Sequence, residues 1–248
     1  KILRNMRLLH NEKAMLVGLE IVDKKLLDSL PDLKVIGCNC TGLDHIDLVE
    51  CEKRGVKVIS LQGEAKWLEE NIFSTAEHTL GLMLALLRNY KTALNEPYKD
   101  REEYRGHTLS GKKLGILGAG RVGRQVALRA SAFGMDIGLV DKKYPIAGAL
   151  NFCLASSDVV SIHIPLVGNE DFFTKEMFQQ MKPTAYLINT SRDKIIEKGA
   201  VVWALENKLI AGAAVDFIDD PDLVHYARDH NNLILTPHLG GATIEDMA

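Results

Sequence analysis

From residue 111 onward, apolar residues gather in short uninterrupted runs separated by stretches with helical spacing. Residues 114–117, 137–140, 159–164, 185–188, 211–215 and 233–235 read as strands, and 121–133, 174–181 and 197–207 as helices between them. A strand buried on one face alternates apolar with polar positions, whereas one covered on both faces is apolar throughout. The runs here are of the second kind. They predict a parallel sheet with helices on both faces, a doubly wound α/β domain with right-handed crossovers. Upstream lies a smaller α/β piece, with strands at 34–36 and 56–59 around a helix near 48–54. Residues 61–71 are polar and lack a period, which predicts a loop. Residues 74–90 form one long helix, apolar on nearly every side, and such a helix must be buried inside the protein or against a second subunit.

The 248 residues suffice for one large domain or two modest ones. The formal net charge of -3, with no basic run to follow a phosphate backbone, argues against nucleic acid as the main partner. No apolar stretch approaches the roughly 20 residues of a membrane helix; the nearest, 80–87, is short and abuts Arg88. Cys38, Cys40, Cys51 and Cys153 form no CxxC pair and no zinc-finger spacing, so free thiols in a cytoplasmic protein are expected. No histidine has metal-ligand spacing with another, and no metal is expected. Lys1 is not an initiator methionine, so the translated chain is expected to begin earlier.

Gly118-Ala119-Gly120-Arg121-Val122-Gly123 matches GxGxxG directly after a strand and at the start of a helix. A dinucleotide requires that context. The first glycine makes the tight turn, the second lets the backbone approach the pyrophosphate, and the third lets helix and strand pack closely. Unpaired amides near Arg121 and Val122 then face the anion, helped by the positive end of the helix. Asp141 ends the next strand, 18 positions past Gly123. A carboxylate there accepts hydrogen bonds from ribose hydroxyls and repels a 2′-phosphate, favouring NAD over NADP, although Lys142 and Lys143 soften that choice.

Three further polar segments end predicted strands, where ligands of open α/β sheets bind: Asn189-Thr190-Ser191-Arg192, Ala214-Val215-Asp216 and Thr236-Pro237-His238-Leu239-Gly240-Gly241. With the glycine turn, and with Gly42-Leu43-Asp44-His45-Ile46-Asp47 and Thr75-Ala76-Glu77-His78-Thr79 upstream, they resemble the D-isomer-specific 2-hydroxyacid dehydrogenases over nearly the whole chain. The resemblance implies an NAD-dependent enzyme that interconverts a D-2-hydroxy acid and a 2-keto acid. Arg192 suits the carboxylate clamp, being always charged and able to form two parallel hydrogen bonds. His238 suits the proton donor and acceptor, since imidazole titrates near neutrality. By resemblance, Asp216 holds the nicotinamide end, Thr190, Ser191, Gly240 and Gly241 line the cofactor, and backbone amides around Cys40, Thr41 and Gly42 grip the substrate carboxylate. It also implies that residues 1–72 are part of a substrate-binding domain, 73–238 an inserted NAD-binding domain, and 239–248 the start of the return. Closure about crossings near Asn71 and Gly240 is expected, as is a homodimer through the 74–90 helix. Related corepressors use the same fold to sense NAD with little turnover, so a binding protein is the alternative expectation.

Some positions depart from the family pattern. The family has a glutamate shortly before a proline that pairs with the histidine; here the run is Asp219-Asp220-Pro221, and Asp220 is the best substitute. Asp193 replaces a glycine usual after the arginine. Residues 62–70, with Trp67, exceed the usual connection, and 141–158 fall short of it. The family's first strand and closing helix are not visible in the pattern.

Overall fold

A computed structural model describes residues 13–143 and 145–247. The chain divides into two compact units between Asn71 and Ile72.

The first unit holds β1 (Ala14–Val17), α1 (Lys24–Asp28), β2 (Val35–Cys38), α2 (Leu48–Lys53), β3 (Lys57–Ser60) and α3 (Ala65–Asn71). Its strands form a parallel sheet in the order β1-β2-β3. Val17, Leu27, Leu33, Ile36 and Cys51 are buried together as its core. Asp23 and Asp47 start α1 and α2 by accepting the amides of Leu26 and Glu50, the orphan donors of a helix's first turn. One strand is added to the expected elements and one expectation is corrected. The unread β1 is real, and its short run gave no clear signal because Leu16 is exposed on the sheet edge. Residues 61–71 are not a loop: a 3₁₀ turn (Leu61–Gly63) leads into α3. Only Leu68 is fully buried among the α3 side chains described, so no apolar period marks this helix.

The second unit begins with α4 (Ser74–Leu87) and α5 (Tyr90–Asn95). The single 74–90 helix of the sequence reading is thus two, divided where Asn89 takes a left-handed conformation, φ 54°. There follow β4 (Lys113–Leu117), α6 (Arg121–Ala132), β5 (Asp136–Val140), α7 (Ala149–Ser156), β6 (Val159–Ile162), α8 (Lys175–Gln180), β7 (Tyr186–Asn189), α9 (Ala200–Glu206), β8 (Gly212–Val215), α10 (Pro221–Asp229), β9 (Leu233–Leu235) and α11 (Ile244–Met247). The six strands are all parallel, in the order β5-β4-β6-β7-β8-β9. Two apolar cores flank the sheet, one with Leu154, Phe173 and Phe178, the other with α4 (Met83, Leu87) and α6 (Val126, Ala130). The doubly wound expectation holds. Strand order reverses at β4, which opens a crevice between the C-terminal ends of β4 and β6, the place where such sheets bind ligands. Helix α10 went unread, although Asp220 at its N-cap and Pro221 at its first position form a readable start signal. The Lys91 ammonium donates to the carbonyls of Ala227 (2.5 Å), His230 (2.9 Å) and Leu233 (2.8 Å), tying α5 to the end of α10.

Candidate active site

The glycine turn leaves β4 and enters α6 in the crevice. Gly118 has φ +102°, and a Cβ there would lie 2.4 Å from the carbonyl oxygen of His163 at the end of β6. A Cβ on Gly123 would lie 2.0 Å from the carbonyl oxygen of Gly118, so helix and strand approach closer than any side chain allows. Gly120 differs: a Cβ there would meet nothing within 4 Å. No contact inside the protein demands that glycine, and the open space beside the first turn of α6 fits an incoming pyrophosphate. Gly120 is the N-cap and has no side chain of its own to cap the first turn of α6. The Arg121 guanidinium donates to Ile72 O (2.9 Å), and Val122 packs against the α4–α6 core.

Asp141 accepts from the Ala119 amide inside the glycine turn (2.7 Å) and from the Lys143 amide (2.8 Å), and these two bonds first of all hold its carboxyl below its ordinary pKa. It is therefore ionised where ribose hydroxyls would meet it. Lys142 points elsewhere: its ammonium is 2.5 Å from Asn169 Oδ1 and 6.0 Å from the Phe172 ring centre. Nearby His163, with Nε2 2.8 Å from Ser161 Oγ, is lowered to about 3 by burial and stays neutral.

Beyond β7, Asn189 organises the next segment. Its buried side chain accepts the Ser191 amide (2.9 Å) and donates to Arg192 O (2.9 Å). Ser191 Oγ donates to Ile162 O (3.0 Å). Thr79 gives its hydroxyl proton to Thr75 O (2.7 Å), so the 2.9 Å contact between Thr79 and Thr190 is a donation from Thr190. Both predicted cofactor side chains, Thr190 and Ser191, therefore brace the loop internally. Arg192 is half-buried, and one of its nitrogens donates to Ser191 O (3.0 Å). The sequence reading includes Asn189 in this polar segment but gives it no role; an asparagine ending a strand two residues before a turn amide was the available signal for one.

Asp216, buried after β8, gathers the segment after β9. Its Oδ1 accepts from Thr236 Oγ1 (2.6 Å) and the Leu239 amide (2.7 Å), and its Oδ2 from the Gly240 amide (2.7 Å). His78 Nε2, from α4, lies 3.4 Å from Oδ1 and 3.1 Å from Thr236 Oγ1. Burial pushes this carboxyl up, but the bonds from His78, Thr236, Leu239 and Gly240 together outweigh it and leave the pKa at about 2. His238 rides on the loop so closed, half-buried, with φ +57°. Only a few per cent of non-glycine residues have positive φ, although histidine, like asparagine and aspartate, does so more often than most; here the bonds to Asp216 close the loop around it. Gly240 suits the same closure, since a Cβ would crowd Asp216 Oδ2 at 3.0 Å, whereas one on Gly241 would meet nothing. The charge also shapes acid stability. A carboxyl whose pKa is depressed by folding contributes stability above its unfolded pKa, and loses it as pH falls through the folded value. Asp216 is expected to contribute about 2 kcal/mol above pH 4, lost as pH falls from 3.8 toward 2. Denaturant unfolding at stepwise acid pH, compared with Asp216→Asn, measures it; equal slopes in the two proteins would refute the assignment.

Asp220 accepts the Asp222 amide (2.9 Å) and so caps α10. In the first unit, Cys40 and Cys38 both direct their thiols at Gly18 O, at 3.3 and 3.9 Å, and Thr41 and Gly42 follow in the turn after β2. Because all six strands of the second unit are parallel, the loops bearing Arg192 and His238 leave the same edge of the sheet as the glycine turn. Among the described residues, no cluster of three or more His, Cys, Asp or Glu side chains is placed to hold a metal, and no helix is long and apolar enough to cross a membrane.

Residues 80–240 match the model of the D-isomer specific 2-hydroxyacid dehydrogenase family, NAD binding domain. The chain is 36% identical over 253 residues to D-3-phosphoglycerate dehydrogenase of Bacillus subtilis, covering 96% of this chain and 47% of that protein. It thus spans about half the length of that relative. It is 35% identical over 266 residues to glyoxylate reductase of Thermofilum pendens, covering 99% of this chain and 76% of that one. Among solved structures, D-lactate dehydrogenase of Aquifex aeolicus, complexed with NAD and lactic acid, superposes with a TM-score of 0.78 at 26% identity, covering 98% of this chain and 80% of that one. The NAD-dependent formate dehydrogenase of Staphylococcus aureus in complex with NAD gives a TM-score of 0.81 at 27% identity, covering 97% and 76%.

Proposed function

The chain belongs to the D-isomer specific 2-hydroxyacid dehydrogenase family and carries its NAD-binding domain, and we propose that the protein interconverts a D-2-hydroxy acid and the corresponding 2-keto acid. The observation that carries this reading is the closed loop on Asp216, which holds His238 in a sparsely populated backbone conformation at the ligand-binding edge of the sheet. Asn89 takes the same conformation at a plain helix break, so what counts is where His238 stands and the buried carboxylate that closes its loop. Bound NAD supplies or accepts the hydride. Arg192 binds the substrate carboxylate and draws charge toward the keto oxygen as it becomes an alkoxide. His238 donates its proton to that oxygen in reduction and takes it back in oxidation. Asp216, with one Oδ2 bond inside the protein, faces the nicotinamide end; Asp141 takes the ribose, and the amides after Gly120 take the pyrophosphate. The backbone amides of Cys40, Thr41 and Gly42 serve the substrate carboxylate.

Residues 1–72 then belong to a substrate-binding part of the protein, and 239–248 begin the return to it. A cytoplasmic compartment suits four free thiols. For a homodimer, most of α4 is already buried within its own unit; apolar surface continues just beyond it at Tyr90, Leu94 and Tyr98, all exposed. The relatives, a D-3-phosphoglycerate dehydrogenase and a glyoxylate reductase, favour an enzyme over a sensor that binds NAD without turnover. Oxidation of NADH, with NADPH as control, measured against a panel of 2-keto acids tests this. No turnover of any of them despite tight NADH binding would overturn the enzyme reading.

We also propose that Asp220 supports the imidazolium form of His238. Asparagine caps helices as well as aspartate does. Asp220→Asn is therefore expected to keep α10 and the folding stability while lowering the upper pKa of the pH–rate profile, because a neighbouring carboxylate raises a histidine pKa. An unmoved profile would leave Asp220 with its capping role alone.

A further inference from the structure

His78, within the Thr75-Ala76-Glu77-His78-Thr79 segment, has no chemical role in the activity proposed above, yet its ring reaches the loop that carries His238. Thr236 Oγ1 stands 2.6 Å from Asp216 Oδ1 and donates to it, since an ionised carboxylate can only accept. Its single proton is thereby committed, so the 3.1 Å contact with His78 Nε2 must run the other way, from ring N–H to hydroxyl oxygen. The same Nε2 is 3.4 Å from Asp216 Oδ1, so one N–H serves both acceptors. The chain of donors is directional: His78 to Thr236, Thr236 to Asp216, with the Leu239 and Gly240 amides closing on the same carboxylate from the far side of His238. His78 also belongs to a different element, the helix α4, whose Met83 and Leu87 are fully buried in the core. The catalytic loop is therefore referenced to the rigid interior, not only to its own strand.

We propose that His78 is a positioning residue: its Nε2–H orients the Thr236 hydroxyl toward Asp216, and through Asp216 fixes the strained loop that presents His238. Without that donor, the Thr236 hydroxyl can rotate to another acceptor. Asp216 then loses two of its donors, and the Leu239 and Gly240 amides are held less firmly. The effect on turnover rests on the activity proposed above; the effect on the loop does not.

Two substitutions separate the donor from the ring. His78→Phe keeps a planar ring and removes the donor, and His78→Gln places an amide N–H near the Nε2 position. Amide hydrogen exchange in the full chain reads the loop directly. The Leu239 and Gly240 amides are expected to exchange about tenfold faster in His78→Phe, the factor for loss of one hydrogen bond, and at the native rate in His78→Gln. The amides of Leu80 and Met83 in α4 should stay unchanged in both. An imidazole ¹H–¹⁵N correlation spectrum of the native protein should show His78 with its proton on Nε2. With a competent 2-keto acid, His78→Phe should lower kcat about tenfold with little change in KM, and His78→Gln should restore it. Equal exchange at Leu239 and Gly240 in native protein and His78→Phe overturns the proposal. So does faster exchange spread equally through α4, which would mark a packing role, or failure of His78→Gln to restore the loop. If no keto acid is turned over by the native protein, the enzyme reading fails while the exchange result still decides the role of His78.

Discussion

A His238→Asn variant is expected to lose about 10²–10⁴-fold in kcat while binding NADH as the native protein does. Asparagine is the informative replacement because the backbone at this position has φ +57°. Among side chains, asparagine tolerates that left-handed region best, so the loop bonds from Leu239 and Gly240 to Asp216 survive. Alanine would both remove the imidazole and strain the turn, confounding chemistry with geometry. Asparagine can donate a hydrogen bond but cannot deliver a proton near neutral pH, so the loss isolates proton transfer. Single-turnover hydride transfer from NADH to a keto acid, alongside fluorescence titration of NADH, measures both quantities. A variant that keeps kcat within tenfold of the native value would remove His238 from the chemistry.

The glycine turn carries the second large effect, and its last two glycines are expected to fail differently. In Gly123→Ala the new methyl meets the Gly118 carbonyl oxygen at 2.0 Å, and neither the strand end nor the helix start can yield without opening the turn. Destabilisation of about 3 kcal/mol is expected, with loss of NADH binding as well. In Gly120→Ala the methyl enters open space, at φ -71°, a conformation alanine adopts readily. Folding stability should then change by less than about 0.5 kcal/mol. NADH affinity should nonetheless fall at least about tenfold, because the methyl stands where the pyrophosphate approaches. Urea unfolding and NADH fluorescence titration on both variants form the test. Full NADH affinity in Gly120→Ala would mean that the cofactor does not approach the turn there.

Much of this was legible before any coordinates. The continuous apolar runs at 114–117 and 159–164 announce strands buried on both faces, and parallel pairing follows because such strands need helices on each side. GxGxxG between a strand and a helix, with Asp141 ending the next strand, predicts where the turn sits and what faces it. The failures share a cause. Strand β1 and helix α3 were missed because each buries only a narrow face, leaving Leu16 and Trp67 exposed and the period blurred. The helix at 74–90 was read as continuous because hydrophobicity says nothing about φ at Asn89, where the chain breaks.

By itself, then, the sequence determined the layered architecture, the position of the anion-binding turn and the residue types able to handle a carboxylate and a proton. Those properties depend on order along the chain and on side-chain chemistry, and both are local. The tertiary structure alone decided that Asp216 spends its charge closing the loop of His238, that Thr190 and Ser191 turn inward, and that His78 reaches across from α4. These depend on hydrogen bonds between residues 23 to 158 positions apart, from Asp216 with Leu239 to His78 with Thr236, and no periodicity or spacing encodes which buried donor meets which acceptor.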